Sequence, residues 1–104
     1  MKPAAADLHQ YSDSPDLPHP TDYQIGKPII LGEYGQSEGK GQDQQATSTK
    51  MFLQQAHDRG WNGTMIWAFD FPKSPKEHRL MNADGSLRPA AVIIRDFANK
   101  LTNP

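Results

Sequence analysis

The chain has 104 residues, of which 36% are hydrophobic and 22% charged, and its formal net charge is −1. A chain of this size can form one small domain with a buried core. The near-neutral charge, without a cluster of Lys and Arg, argues against a nucleic-acid partner and against attraction to a membrane surface. The absence of cysteine excludes disulfide and thiolate chemistry. No apolar run is long enough for a transmembrane helix or a signal-peptide core, so localisation stays unknown.

The first predicted element is a short strand over about residues 5–11. His9 and Tyr11 are two positions apart, so they share one face of that strand. Residues 12–26 are rich in proline and turn-forming residues, which predicts a long loop with about one helical turn near Thr21–Gln24.

The second predicted strand, over about 27–33, is the most informative segment of the chain. Its apolar run Ile29-Ile30-Leu31 follows a Gly-Lys-Pro turn, which is typical of a strand buried on both faces of a parallel sheet. The run delivers one carboxylate, Glu33, between Gly32 and Gly35. The plain alternative is that Glu33 caps a helix or faces solvent in a loop.

A helix follows over about 43–59, because its apolar residues recur at helical spacing and Gly60 stands where a left-handed cap belongs. Those apolar positions are Thr49, Phe52, Leu53 and Ala56. A third buried strand is predicted over about 64–70. A last helix is predicted over about 89–101, beginning at Pro89, a favoured first helical residue.

A strand–helix–strand unit with buried strands predicts parallel pairing and a right-handed crossover. The predicted fold class is therefore α/β, with three parallel strands and two main helices. Side chains near the strand ends should then converge at one edge: His9 and Tyr11, Glu33 and Tyr34, and Trp67 and Asp70. Such a set suits a sugar, since Trp stacks on a pyranose ring while His and Tyr form hydrogen bonds. A carboxylate held by a Tyr hydroxyl stays ionised, as a nucleophile toward an anomeric carbon must be.

Three motifs in order resemble the sixth, seventh and eighth strands of clan-A retaining glycoside hydrolases of the cellulase/mannanase type, glycoside hydrolase family 5. They are His9-Gln-Tyr11, Gly32-Glu-Tyr-Gly35 and Ile66-Trp67-Ala-Phe. The segment Asp84-Gly-Ser-Leu-Arg-Pro-Ala-Ala also resembles the lead-in to that family's last helix. The resemblance covers about residues 4–100 and implies one domain, residues 1–104, that corresponds to the last three strands of a (β/α)8 barrel without its first five.

The resemblance also implies roles for four residues. Glu33 matches the catalytic nucleophile, Tyr11 the tyrosine that hydrogen-bonds it, and His9 the histidine that lines the same subsite. Trp67 matches the aromatic platform under the sugar. No cofactor and no metal are implied, and the parent enzyme would be secreted or periplasmic. Tyr34 and Asp70 receive no role.

The general acid/base of that family is a Glu that follows Asn, and this sequence has no Asn-Glu pair. A retaining glycosidase needs two carboxyl groups about 5–5.5 Å apart, and Glu38 and Asp13 are poor candidates for the second. We therefore expect a segment of a retaining β-glycosidase that hydrolyses O-glycosidic bonds of a β-glucan or β-mannan but is inactive as an isolated chain.

Two other functions stay open. One is a non-catalytic carbohydrate-binding or assembly module derived from such a barrel; the other is an ordinary α/β domain whose resemblance is accidental. The expected partner is an oligo- or polysaccharide, and open sheet edges favour self-association or pairing with the missing barrel portion.

Plain structural interpretations also apply to single residues. His9 could be a structural histidine and Trp67 a core residue, while Trp61 is predicted to pack. The remaining histidines lack metal-ligand spacing and are predicted to lie on the surface. They are His19, His57 and His78.

Overall fold

The computed structural model describes residues 6–12, 14–23, 26, 28–35, 41–66 and 78–102. Its elements in chain order are strand β1 (Ala6–Tyr11), a 3₁₀ helix (Pro20–Tyr23), strand β2 (Ile29–Gly35), helix α1 (Gln42–Asp58), strand β3 (Gly63–Ile66) and helix α2 (Pro89–Thr102).

The three strands form one sheet in the order β1-β2-β3, and both neighbouring pairs are parallel. The predicted α/β class, with three parallel strands and two main helices, is therefore confirmed. Strand β2 extends two residues beyond the predicted end, to Gly35. Residues 67–70 of the predicted third strand lie outside the described residues.

Helix α1 carries the buried stripe that its sequence predicts: Thr49, Phe52, Leu53 and Ala56. Gly60 adopts a φ of +83° just after the helix. The Trp61 amide then donates to the Ala56 carbonyl at 2.9 Å, and the Gly60 amide to the His57 carbonyl at 3.4 Å. This pair of bonds is a Schellman cap, and it turns the chain so that Trp61 is buried as predicted.

The main core lies between the sheet and α1. Ile29, Leu31 and Tyr34 of β2 pack there with Phe52 and other residues of α1. Helix α2 packs against α1 and adds the half-buried side chains of Ile93, Ile94 and Phe97 to the edge of this core. Neither helix in the described part of the chain is long and apolar enough to cross a membrane.

A bulge in β2 decides which side chains face away from this core. Leu8 pairs with Leu31 and His9 pairs with Glu33, so Gly32 has no partner in β1. Leu31 and Tyr34 both enter the core, although three residues apart would normally point to opposite faces. Gly32 and Glu33 between them therefore both belong to the face opposite the helices.

Candidate active site

The carboxylate of Glu33 lies near the end of the central strand, beside two side chains of β1. The Tyr11 hydroxyl donates a hydrogen bond to Glu33 Oε1. The His9 Nδ1 atom is 3.1 Å from Glu33 Oε2. Each carboxylate oxygen thus faces a different side chain of β1, and 33% of the Glu33 side chain remains exposed to solvent. Since each oxygen has two lone pairs, one side of the carboxylate stays available to a ligand.

Strand geometry explains why these groups meet. His9 and Tyr11 alternate with Leu8 and Gln10 along β1, so they share one face. His9 and Glu33 are direct neighbours in the parallel ladder. The bulge at Gly32 keeps Glu33 on that same face instead of turning it into the core. The structure therefore brings together three of the four predicted site residues, although their roles stay predictions.

The Tyr11 hydroxyl keeps its proton in this environment. Partial burial raises the pKa of Tyr11 to about 12, and the hydrogen bond to Glu33 and its negative charge act in the same direction. Burial is the largest cause even though 44% of the residue's surface is exposed. At neutral pH Tyr11 is therefore a hydrogen-bond donor to the carboxylate and not a second anion beside it.

Asp7 also belongs to the site, although it is not among the predicted site residues. Its Oδ2 atom is 3.1 Å from His9 Nε2, on the side of the ring opposite Glu33. Asp7 lies two residues before His9 in the same strand, so the period-two pattern that joined His9 to Tyr11 could have included it.

His78 also contacts the site, which corrects the prediction that it is a surface residue. It is half-buried, and its ring meets the Tyr11 ring edge-on, with centroids 5.8 Å apart and an interplanar angle of 86°. Its Nδ1 atom is buried without a hydrogen-bond partner in the described structure. The contact joins residues 67 positions apart, and no local pattern marks it. His19 and His57 are exposed, as predicted.

Tyr34, to which no role was assigned, does not converge with His9, Tyr11 and Glu33, contrary to the prediction. Its side chain points into the core on the helix side of the sheet, where it anchors the strand end beneath Glu33. Its side chain is buried, and its ring packs on Phe52 with centroids 5.1 Å apart. Burial raises the pKa of Tyr34, while a hydrogen bond with Thr64 acts in the opposite direction. The Tyr34–Phe52 contact thus couples the position of Glu33 to the packing of α1.

Several predicted site residues lie outside the described residues: the platform Trp67, Asp70, and the two weak acid candidates Glu38 and Asp13. An open apolar cavity of about 410 Å³ lies between α1, α2 and β3, where Tyr34, Trp61 and Phe97 line it. That cavity is on the helix side of the sheet and includes neither Glu33 nor His9, so it is not part of this site.

Among the residues that are described, no three His, Asp or Glu side chains form a group that could hold a metal ion.

Comparison of the sequence with protein-family models and with curated proteins finds no match. Among solved structures, the chain is similar to a triple mutant of the endo-beta-1,4-glucanase from Xanthomonas axonopodis pv. citri, with a TM-score of 0.59 and 17% sequence identity. The alignment covers 92% of this chain and 37% of that structure, so the chain spans about a third of the length of its neighbour. At this identity the similarity concerns the fold alone. The three-stranded parallel sheet with its two helices therefore shares its α/β fold with part of that structure.

Proposed function

We propose that this chain is a segment of a retaining β-glycosidase and that Glu33 is its nucleophile. The observation that carries the proposal is the Glu33 carboxylate, which lies near the end of the central parallel strand with Tyr11 donating to one oxygen and His9 beside the other. Catalytic groups of β/α barrels lie at the carboxyl ends of their parallel strands. The chain would then supply the last three strands of such a barrel.

In this role Glu33 attacks the anomeric carbon while the glycosidic C–O bond breaks. The Tyr11 hydrogen bond stabilises the carboxylate before attack, and it orients the oxygens. The oxygen that leaves from a natural glycoside needs a proton, and general acid assistance contributes about 10²–10⁴-fold. Because the sequence has no Asn-Glu pair to supply that acid, we expect the isolated chain to turn over a β-glucan or β-mannan hardly at all.

An activated substrate tests the nucleophile independently of the missing general acid. Dinitrophenolate leaves as an anion without protonation, so a 2-fluoro β-cellobioside of dinitrophenol should transfer its glycosyl group to Glu33 and release dinitrophenolate. We expect mass spectrometry of the digested chain to find one glycosyl group on the peptide that contains Glu33. Glu33→Gln should abolish this label. The matched control is Asp96→Asn, which exchanges a carboxylate for an amide on the exposed surface of α2 and should label normally.

The neighbouring structure is named an endo-beta-1,4-glucanase, which makes the cellobioside the first probe and the corresponding mannobioside the second. If neither compound labels Glu33, or if the label persists in Glu33→Gln, the assignment of the nucleophile is wrong.

The second candidate is a non-catalytic carbohydrate-binding module, which the missing acid motif favours. It predicts binding without bond formation. Addition of cello-oligosaccharide would then shift the NMR signals of His9 and Tyr11, while the activated glycoside would leave Glu33 unlabelled.

A further inference from the structure

The His9 ring lies between two carboxylates. Its Nε2 atom is 3.1 Å from Asp7 Oδ2 and its Nδ1 atom is 3.1 Å from Glu33 Oε2. A neutral imidazole has one N–H donor and one acceptor nitrogen, whereas an ionised carboxylate only accepts. Both contacts can be hydrogen bonds only when the three groups together hold two protons. Each carboxylate that is ionised therefore requires a proton on the ring nitrogen that faces it.

The two carboxylates differ in their surroundings. The Asp7 side chain is 53% exposed, so water reaches its oxygens. The Glu33 side chain is less exposed, but it receives the additional hydrogen bond from Tyr11. An ionised Asp7 requires the proton on Nε2, because only a donor at that nitrogen can hydrogen-bond to it.

The space that Asp7 occupies exists because residue 32 is glycine. A Cβ atom at Gly32 would lie 1.7 Å from Asp7 Oδ1 and 2.5 Å from its Cγ. No side chain fits there unless the Asp7 carboxylate moves away. At Gly63, in contrast, an added Cβ would meet Ile30 Cγ2 at an ordinary 3.5 Å. The unpaired glycine of the bulge thus makes room for the carboxylate that contacts His9.

We propose that Asp7 is a positioning residue of this site. Its carboxylate accepts a hydrogen bond from the N–H group of His9 Nε2, which prevents the ring from flipping and keeps Nδ1 toward Glu33. Gly32 provides the room for this contact. The orientation of the His9 ring follows from contacts within the folded chain and does not depend on the proposed function. Its consequence, a Glu33 carboxylate held for attack, rests on the function proposed above.

The test is NMR of the full chain with ¹⁵N-labelled histidine, in which a His9→Gln variant assigns the His9 signals. At neutral pH the Nε2 signal of His9 should have the shift of a protonated ring nitrogen. Asp7→Ala should remove that protonated Nε2 state, whereas Asp7→Asn should largely retain it because the amide oxygen still accepts the hydrogen bond. His19 and His57 serve as internal controls and should not change.

Gly32→Ala provides an independent variant in which the carboxylate is present but displaced. It should reproduce the His9 spectrum of Asp7→Ala, while Gly63→Ala, the matched glycine control, should leave it unchanged. An unprotonated Nε2 in the parent chain overturns the proposal, as does an Asp7→Ala spectrum in which His9 is unaffected. Should Gly32→Ala fail to fold, the pair Asp7→Ala and Asp7→Asn still decides the outcome.

Labelling of Glu33 by the activated cellobioside separates this proposal from the proposed function. A misplacement of about 1 Å costs up to about a hundredfold in rate, so Asp7→Ala should label roughly ten- to a hundredfold more slowly and Asp7→Asn much less so. If His9 responds as expected but Glu33 is never labelled, the positioning role stands and the glycosidase proposal fails. If Glu33 is labelled equally fast with and without Asp7, the positioning role fails and the nucleophile stands.

Discussion

Replacement of Phe52 by alanine should remove a large part of the free energy that holds α1 on the sheet. The Phe52 side chain has 0% exposure and packs on the Tyr34 ring, with centroids 5.1 Å apart. Truncation of a buried Phe to Ala costs about 3–5 kcal/mol, and the aromatic pair contributes about 0.5–1.5 kcal/mol beyond its buried area. A domain has about 5–15 kcal/mol of stability in total. The variant should therefore be close to unfolding.

Urea denaturation followed by circular dichroism measures this loss. With an m-value of about 1.5 kcal/mol per M, a loss of 3–5 kcal/mol lowers the midpoint by roughly 2–3 M. The control is Phe97→Ala. Phe97 is only half-buried and borders the open apolar cavity, so its truncation should cost about half as much or less.

Equal midpoints for the two variants would refute the argument, because they would mean that Phe52 is not the better-buried side chain. A second readout tests the coupling to the site. In Phe52→Leu, which keeps an apolar side chain of similar size, the NMR signals of Tyr34 and Glu33 should shift together. An unchanged Glu33 signal in Phe52→Leu would show that the end of β2 is held independently of the core.

Three further predictions concern ionisation and association. Because the folded-state pKa of Tyr11 is raised from 10.0 to about 12, its contribution to stability is fully present below pH 10 and is lost as the pH rises toward 12. Burial also raises the pKa of Tyr34, so the unfolding midpoints of Tyr11→Phe should still fall in this pH range, but less steeply than those of the parent chain. In Glu33→Gln the phenol should titrate at lower pH than in the parent chain, yet above 10.0, because burial, the largest cause, remains; an unchanged titration would contradict the Tyr11–Glu33 contact. In the described sheet β3 pairs on one side only and exposes 61% of Met65. We expect concentration-dependent sedimentation that Met65→Lys weakens, and a monodisperse parent monomer would contradict this.

The elements could be predicted from the sequence because their signals are local. The apolar run at Ile29–Leu31 encodes a buried strand, and the spacing of Thr49, Phe52, Leu53 and Ala56 encodes one face of a helix. Gly60 at the end of α1 marks a backbone conformation that other residues adopt at a cost. Each of these patterns reflects a constraint within a few neighbouring residues, so no knowledge of the fold is needed to recognise it.

The sequence also indicated the central residues of the site, Glu33 and its two neighbours on β1. His9 and Tyr11 share a strand face by their spacing, and parallel pairing brings both to Glu33, which lies 22 positions after Tyr11. The prediction that these side chains converge required only the parallel pairing of the two strands. The resemblance of the motifs added expected roles, which the labelling experiment tests.

The tertiary structure decided which other groups surround Glu33, His9 and Tyr11. The bulge that puts Gly32 and Glu33 on one face depends on how Leu31 and Tyr34 both fit into the core. The contact of His78 with Tyr11 joins segments 67 residues apart, and the place of Asp7 depends on the empty volume over Gly32. Such features arise from packing between distant segments, which a strand or helix period does not record. The sequence by itself thus determined the strands, the helices and the carboxylate, and the folded structure decided which neighbours orient that carboxylate.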